Sequence, residues 1–211
     1  MQLIVPGTVP CTIQQPDGSL LCGAYAVAMS LNALGCDLTA DIDISYNPGP
    51  IAKFTRDSTI RGNDNFHGVA AAIYQVTGYL GWDVVINVLP ATYCGLNGLA
   101  GMLRVLKDVE GTINIDVTYT AIAKGGFDLT FPGEFGRVTP LVNSITQVPA
   151  PMPAVIQNDQ VVIALFDNGG GGNHWVVFSD TDSYDPATGD EVDETGPYNR
   201  GNALVAVLLE K

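Results

Sequence analysis

Hydrophobic residues change their spacing part-way along this chain, and that change limits what it can fold into. From Leu21 to Leu34 the pattern is helical, with Ala24, Ala26, Ala28, Met29 and Leu31 compatible with a helix and Gly35 suited to its C-cap. A second helix is expected from about Phe66 to Tyr79, and a third from Leu96 to Val109, ending at Gly111. Between them Val84–Leu89 reads as a strand. Beyond residue 111 the strands take over. Thr112–Tyr119 alternates with period two, as a half-buried strand does, and Phe127–Phe131 is a further short candidate. Val161–Phe166 and His174–Phe178 are strongly apolar strands, and Ala203–Leu209 is the last. Residues 1–20 read as an extended lead-in with one short strand. Residues 45–65 carry loop chemistry, and Pro140, Pro149, Pro151 and Pro153 mark a connecting region. Helices first and strands later is the order of an α+β protein. The chain reads as one domain over residues 1–211, with a helical lobe to about residue 110 and a sheet lobe from about 111.

Composition removes several function classes. The 211 residues are 46% hydrophobic and 15% charged, the balance of a core-rich globular chain. No run approaches the roughly 18 uninterrupted apolar residues of a membrane-spanning helix. The first residues, Met-Gln-Leu-Ile-Val-Pro-Gly, have neither the basic start nor the apolar stretch of a secretory signal. A cytoplasmic protein, or one secreted by a non-classical route, is therefore expected. The net charge of −13, with nine Lys plus Arg, argues against nucleic-acid and anionic-membrane partners, because phosphates need a cationic face. Cys11, Cys22, Cys36 and Cys94 form no CxxC pair, and His67 and His174 are the only histidines, so metal-ligand spacing is missing. No metal and no cofactor is expected. Gly169–Gly172 is not a phosphate loop, since no Lys-Ser/Thr follows it. Asp180–Glu194 lacks the pattern of an EF-hand and reads as a solvated acidic hairpin.

One constellation carries chemistry. Gln15-Pro-Asp-Gly-Ser-Leu-Leu-Cys22-Gly-Ala-Tyr-Ala places a cysteine at the mouth of the first helix. Free N–H groups and partial positive charge at a helix start favour a thiolate there. Gly23 would let a substrate carbonyl approach the backbone. The Cys22 N–H and a nearby glutamine side chain would donate to an oxyanion. The base is His174, in Gly-Gly-Asn-His174-Trp-Val-Val, where a glycine run enters a strand and Trp175 and Val177 alternate onto the other surface. Downstream, Ser183-Tyr-Asp185-Pro-Ala-Thr-Gly offers a carboxylate that would orient the imidazole.

These residues resemble the papain-like cysteine peptidases, in particular the bacterial ones that process double-glycine leader peptides. The matching pieces are Gln15, Cys22-Gly23, Val161–Phe166, His174-Trp-Val-Val and Asp185-Pro186; residues 14–34 and 155–190 carry the likeness. The resemblance implies a papain-like fold, in which a helical lobe led by the nucleophile helix packs on a twisted antiparallel sheet. It implies a thiol protease, a hydrolase of peptide or protein substrates. Cys22 would be the nucleophile, His174 general base and acid, Asp185 the third member of the triad and Gln15 the oxyanion donor. Two features depart from the pattern. Leu21 stands where those peptidases often carry Asp, and the 11-residue gap from His174 to Asp185 is nearer that of cell-wall hydrolases of the NlpC/P60 type. Asp180 and Asp182 are rivals for the third position, and Gln14 rivals Gln15.

Each assignment has a plainer reading. A cysteine in an apolar helix is usually core. Asp-Pro-Ala-Thr-Gly is also a sound turn. His67 reads as flanking the second helix, and Cys11, Cys36 and Cys94 as packing residues. Two other functions fit the same fold: a transglutaminase-like acyltransferase, in which an amine resolves the thioester, and a catalytically silent binding module, in which Cys22 and His174 stand apart.

Overall fold

The computed structural model describes residues 13–48, 55–79, 96–167 and 173–211. The expected strand at 84–89, Cys11, Cys94 and the whole glycine run 169–172 lie outside the described residues.

The first helix, α1 (Cys22–Ala33), has no charged residue in twelve, and everything from Gly23 to Asn32 is buried. A helix apolar all round has to be enclosed on every side. Here it packs between the sheet, through strands β5 (Gln160–Asp167) and β6 (Asn173–Phe178), and two further helices, α2 (Phe66–Thr77) and α3 (Leu99–Val109). Its one mid-helix hydroxyl is satisfied locally, Ser30 Oγ donating to Ala26 O at 2.8 Å. It ends in a Schellman turn. Cys36 N–H reaches back to Leu31 O and Gly35 N–H to Asn32 O, with Gly35 at φ +63°.

The sheet has six strands in the order β4-β3-β8-β5-β6-β7: β3 (Asn114–Tyr119), β4 (Ser144–Gln147), β5 (Gln160–Asp167), β6 (Asn173–Phe178), β7 (Ser183–Tyr184) and β8 (Val205–Glu210). All neighbours are antiparallel except β3 and β4, which run parallel, so the expected antiparallel sheet is a mixed one at that edge. Val161 through Phe166 are buried without a break. The reason is that both faces are covered. Val161, Ile163, Leu165, Trp175 and Val177 join the core with α1, whereas Val162, Ala164, Phe166, Val176 and Phe178 form a second core with Ile156, Val192 and Ala203. No helix among the described residues is long and apolar enough to cross a membrane.

Two expectations are corrected. Residues 45–65 are not all loop: β1 (Ile42–Tyr46) and β2 (Arg56–Ile60) pair antiparallel and lie against α2 and α3. The proline and glycine signals at 47–50 masked them, and β2 buries only Ile60 fully, which leaves little hydrophobic signature. Phe127–Phe131 is not a strand. It completes helix α4 (Ala121–Thr130), which is capped by Thr120 Oγ1 accepting the Ala123 N–H at 3.0 Å. Ala123, Phe127 and Phe131 are the buried side chains, a spacing of four that sets them on one face. A fifth short helix, α5 (Glu134–Val138), follows. Its Glu134 is fully buried and ties this region to the helical lobe, accepting the Ala100 N–H at 2.7 Å at the uncapped start of α3.

Candidate active site

The segment before α1 is pinned to the turn after β7. Tyr184 Oη donates to Ile13 O at 2.8 Å, Gln14 Nε2 to Ala187 O at 2.7 Å, and the Gln15 N–H to Pro186 O at 2.8 Å. After a tight turn with Gly18 at φ +69°, Leu20 O accepts from Asn97 Nδ2 at 2.6 Å. The chain then enters α1 with Leu21 as an N-cap that makes no side-chain bond. The first-turn N–H groups, Cys22's among them, have no partner inside the helix. Cys22 is therefore held at an open helix start, half-buried, facing a cleft of about 640 Å³.

His174 arrives from the opposite side of that cleft. It opposes Phe166 in the β5–β6 register, one residue from the end of its strand, and shares its face with Val176 and Phe178 while Trp175 and Val177 point into the main core. Asp185 follows β7 directly. Extending the Val177↔Tyr184 pairing by one step sets Asp185 opposite Val176, on the face of His174 and diagonal to it. The 11-residue spacing is what this geometry requires. His174 Nε2 and Asp185 Oδ1 are 2.6 Å apart, with both side chains buried. Asp185 Oδ1 also accepts the Ala187 N–H at 2.8 Å, and Gly189, at φ +76°, donates its N–H to Asp185 O at 2.8 Å. Asp-Pro-Ala-Thr-Gly is thus both a turn and the mount of the carboxylate.

With Nε2 engaged by Asp185, Nδ1 is the imidazole nitrogen left for the thiol, and Cys22 lies close enough to the ring to act on its protonation. Burial by itself would push the His174 pKa down. The hydrogen bond to Asp185 and the neighbouring Cys22 thiol, with the attraction of both negative charges, outweigh it and raise the value to about 9. Imidazolium is favoured wherever Cys22 and Asp185 carry charge. Tyr198 packs its ring against His174 at 5.5 Å and 44°. Its hydroxyl is held above the ordinary tyrosine range by burial, then by Asp185 and Cys22.

Of the two glutamines, Gln15 lines the cleft with Cys22, while Gln14 is exposed and bonds to Ala187 O and Asp17. Gln15 Nε2 makes one long contact, 3.4 Å to Ser19 O, and so retains donor capacity towards the cleft. Asp180 and Asp182 sit in the reversal beyond the far end of β6; Asp182 bonds Thr181 Oγ1. Neither takes the place of Asp185. Cys36 lies past the other end of α1, about 18 Å along the helix from Cys22, and burial raises its pKa. His67 is in the first turn of α2 and hydrogen-bonds Tyr25 at 2.6 Å. No group of His, Cys, Asp and Glu among the described residues could hold a metal ion.

Two elements of the site have no clear mark in the sequence. Asn97 holds the entry to α1: its Oδ1 accepts from Thr77 Oγ1 at 2.7 Å while Nδ2 reaches Leu20 O, and its Cβ would lie 2.5 Å from a Cβ at position 23. Gly23 is therefore required by packing against Asn97, a different reason from the expected approach of substrate. The second element is the wall of α4, with Ile122, Ala123, Gly126 and Phe127, continued by Phe131. Comparison with protein-family models, with curated proteins and with solved structures gives no match.

Proposed function

We propose that this chain is a cysteine peptidase or amidase of papain-like architecture, cleaving amide bonds through a thioester on Cys22. The observation that carries the reading is the chain of contacts from Cys22 to His174 to Asp185 beside an open cleft. The nucleophile helix packs on the sheet strand that bears the base, and the carboxylate comes from the neighbouring strand's end, the arrangement that papain-like enzymes use. Sγ attacks the amide carbonyl, and the oxyanion is met by the Cys22 N–H and Gln15 Nε2. His174 delivers its proton to the departing amine, then takes one from the water that attacks the thioester. Asp185 keeps the ring oriented with Nδ1 towards sulfur and stabilises the imidazolium. Tyr198 closes one face of the imidazole. A silent binding module would have Cys22 and His174 apart; their proximity in one cleft favours the enzyme. Peptide substrates are preferred over peptidoglycan, as the resemblance implies.

The test is alkylation by iodoacetamide at about pH 6, where ordinary thiols are slow, with the labelled residue read by peptide mass. Cys22 is expected to react at least about tenfold faster than Cys36, which burial makes a slow internal control. The advantage should vanish in His174→Ala. Equal rates for Cys22 and Cys36 in the native protein would sink the proposal.

A further inference from the structure

The cleft next to Cys22 has two unlike walls. On the side of His174 the polar Gln15, Asp167 and Asn173 are interleaved with Leu165 and Trp175; on the other it is the apolar face of α4, with Ala123, Phe127 and Phe131 as its floor. Ile122 stands on that wall with 77% of its surface exposed, an aliphatic side chain that nothing among the described residues covers. Gly126 lies one turn further on. A Cβ built there meets no atom within 4 Å, so the absence of a side chain at this position leaves room inside the cleft itself. The cleft lining has no Lys or Arg among the described residues, and its one carboxylate, Asp167, sits across from Asn173 on the His174 side. A charged group seated against α4 would lose its hydration and find no counter-charge, whereas an apolar one would lose only contact with water.

We infer that the α4 face of Ala123, Gly126, Phe127 and Phe131 is a specificity subsite for an uncharged apolar side chain of the substrate's acyl part. The inference rests on Cys22 being the nucleophile. Because His174 has to meet the departing amine, the acyl portion extends towards the opposite wall. The Phe131 end of that wall approaches the entry to α1: Phe131 packs edge-on against Tyr79 at 5.5 Å, and Tyr79 and Asn97 flank Gly98 and Gly23. With no atom within 4 Å of a Cβ at Gly126, this stretch of the wall stays open to a substrate side chain.

Peptidyl chloromethyl ketones test this without a known substrate. Sγ displaces chloride from the methylene carbon, leaving a thioether on Cys22 that mass spectrometry counts. Probes would carry Leu, Phe, Asp or Lys in either of the two positions before the ketone. At one of these positions Leu or Phe is expected to label Cys22 about tenfold to a hundredfold faster than Asp or Lys, the discrimination an apolar pocket supplies. Gly126→Leu fills the space and should cut that preference to below about threefold, and iodoacetamide labelling of Cys22 in the same variant reports the nucleophile separately. Gly126 is an exposed helical position with open surroundings, so the variant is expected to fold. Equal rates for all four side chains at both positions, or a preference that survives Gly126→Leu, would overturn the subsite while fast iodoacetamide labelling left the nucleophile intact. Iodoacetamide labelling of Cys22 no faster than that of Cys36 would instead remove the nucleophile, and the subsite with it.

Discussion

Replacing Asp185 with alanine isolates what the carboxylate does for His174. In the native protein the imidazole is buried, which favours its neutral form, yet its pKa is raised from 6.5 to about 9 because Asp185 and Cys22 both hold the charged form. The elevation is 9 − 6.5 = 2.5 units, equivalent to about 3 kcal/mol at 1.36 kcal/mol per unit. Asp185→Ala removes one of the two opposing partners and leaves burial in place, so the pKa should fall by about one to two and a half units, about 1.5–3 kcal/mol. Asp185→Asn keeps an acceptor for the ring N–H without the charge and should fall between the two. The assay is an NMR titration of the imidazole carbons. It is clean here because the chain has only two histidines, and His174→Ala assigns the pair. Activity, once a substrate or ketone probe is in hand, should track it: the falling limb of the pH profile, set by loss of the imidazolium proton, lies near pH 9 in the native protein and moves down in Asp185→Ala. A His174 signal titrating near 6.5 in the native protein, or one unmoved by Asp185→Ala, would refute the reasoning.

Three further outcomes are expected. Because the folded-state pKa of His174 lies above its unfolded value, its stabilisation is complete below about pH 6.5 and lost as pH rises through about 9; urea unfolding should show the native advantage over Asp185→Ala shrinking by up to about 3 kcal/mol across that window, and a constant gap would contradict it. Gly23→Ala drives a methyl to 2.5 Å from Asn97 Cβ and 3.0 Å from Met102 Sδ, all buried. It should cost about 1–3 kcal/mol by urea denaturation and slow Cys22 alkylation, since Asn97 also holds Leu20 O. Gly125→Ala, in the middle of α4 with no atom within 4 Å of the new methyl, should stabilise by about 0.5–1 kcal/mol, measured the same way; destabilisation would mean that the helix is not formed there.

The sequence determined the elements whose signal is local. An uncharged twelve-residue helix between Leu21 and Gly35 has to be buried on all sides, and strands 160–167 and 173–178 have to be covered on both faces, whatever surrounds them. The order of residues also named Cys22, His174 and Asp185 as a set, because a thiol at a helix start, a histidine at a strand start and an acid in the next turn each have a local signature. Tertiary structure decided the choices among neighbours. Asp185 rather than Asp180 or Asp182 meets the imidazole because the β6–β7 register makes it the diagonal partner of His174. Gln15 rather than Gln14 faces the cleft because the lead-in segment is pinned to residues 184–187. Helix α4 was hidden by its paired glycines, and β1 and β2 by the proline and glycine signals at 47–50. Asn97 and Tyr198 carried no mark at all. Their contacts are with Leu20, Gly23 and His174, residues far away in the chain, and such contacts exist only once each lobe has folded. The reaction proposed for Cys22 was legible in outline from one dimension; the wall of the cleft proposed to choose its substrate is a product of three.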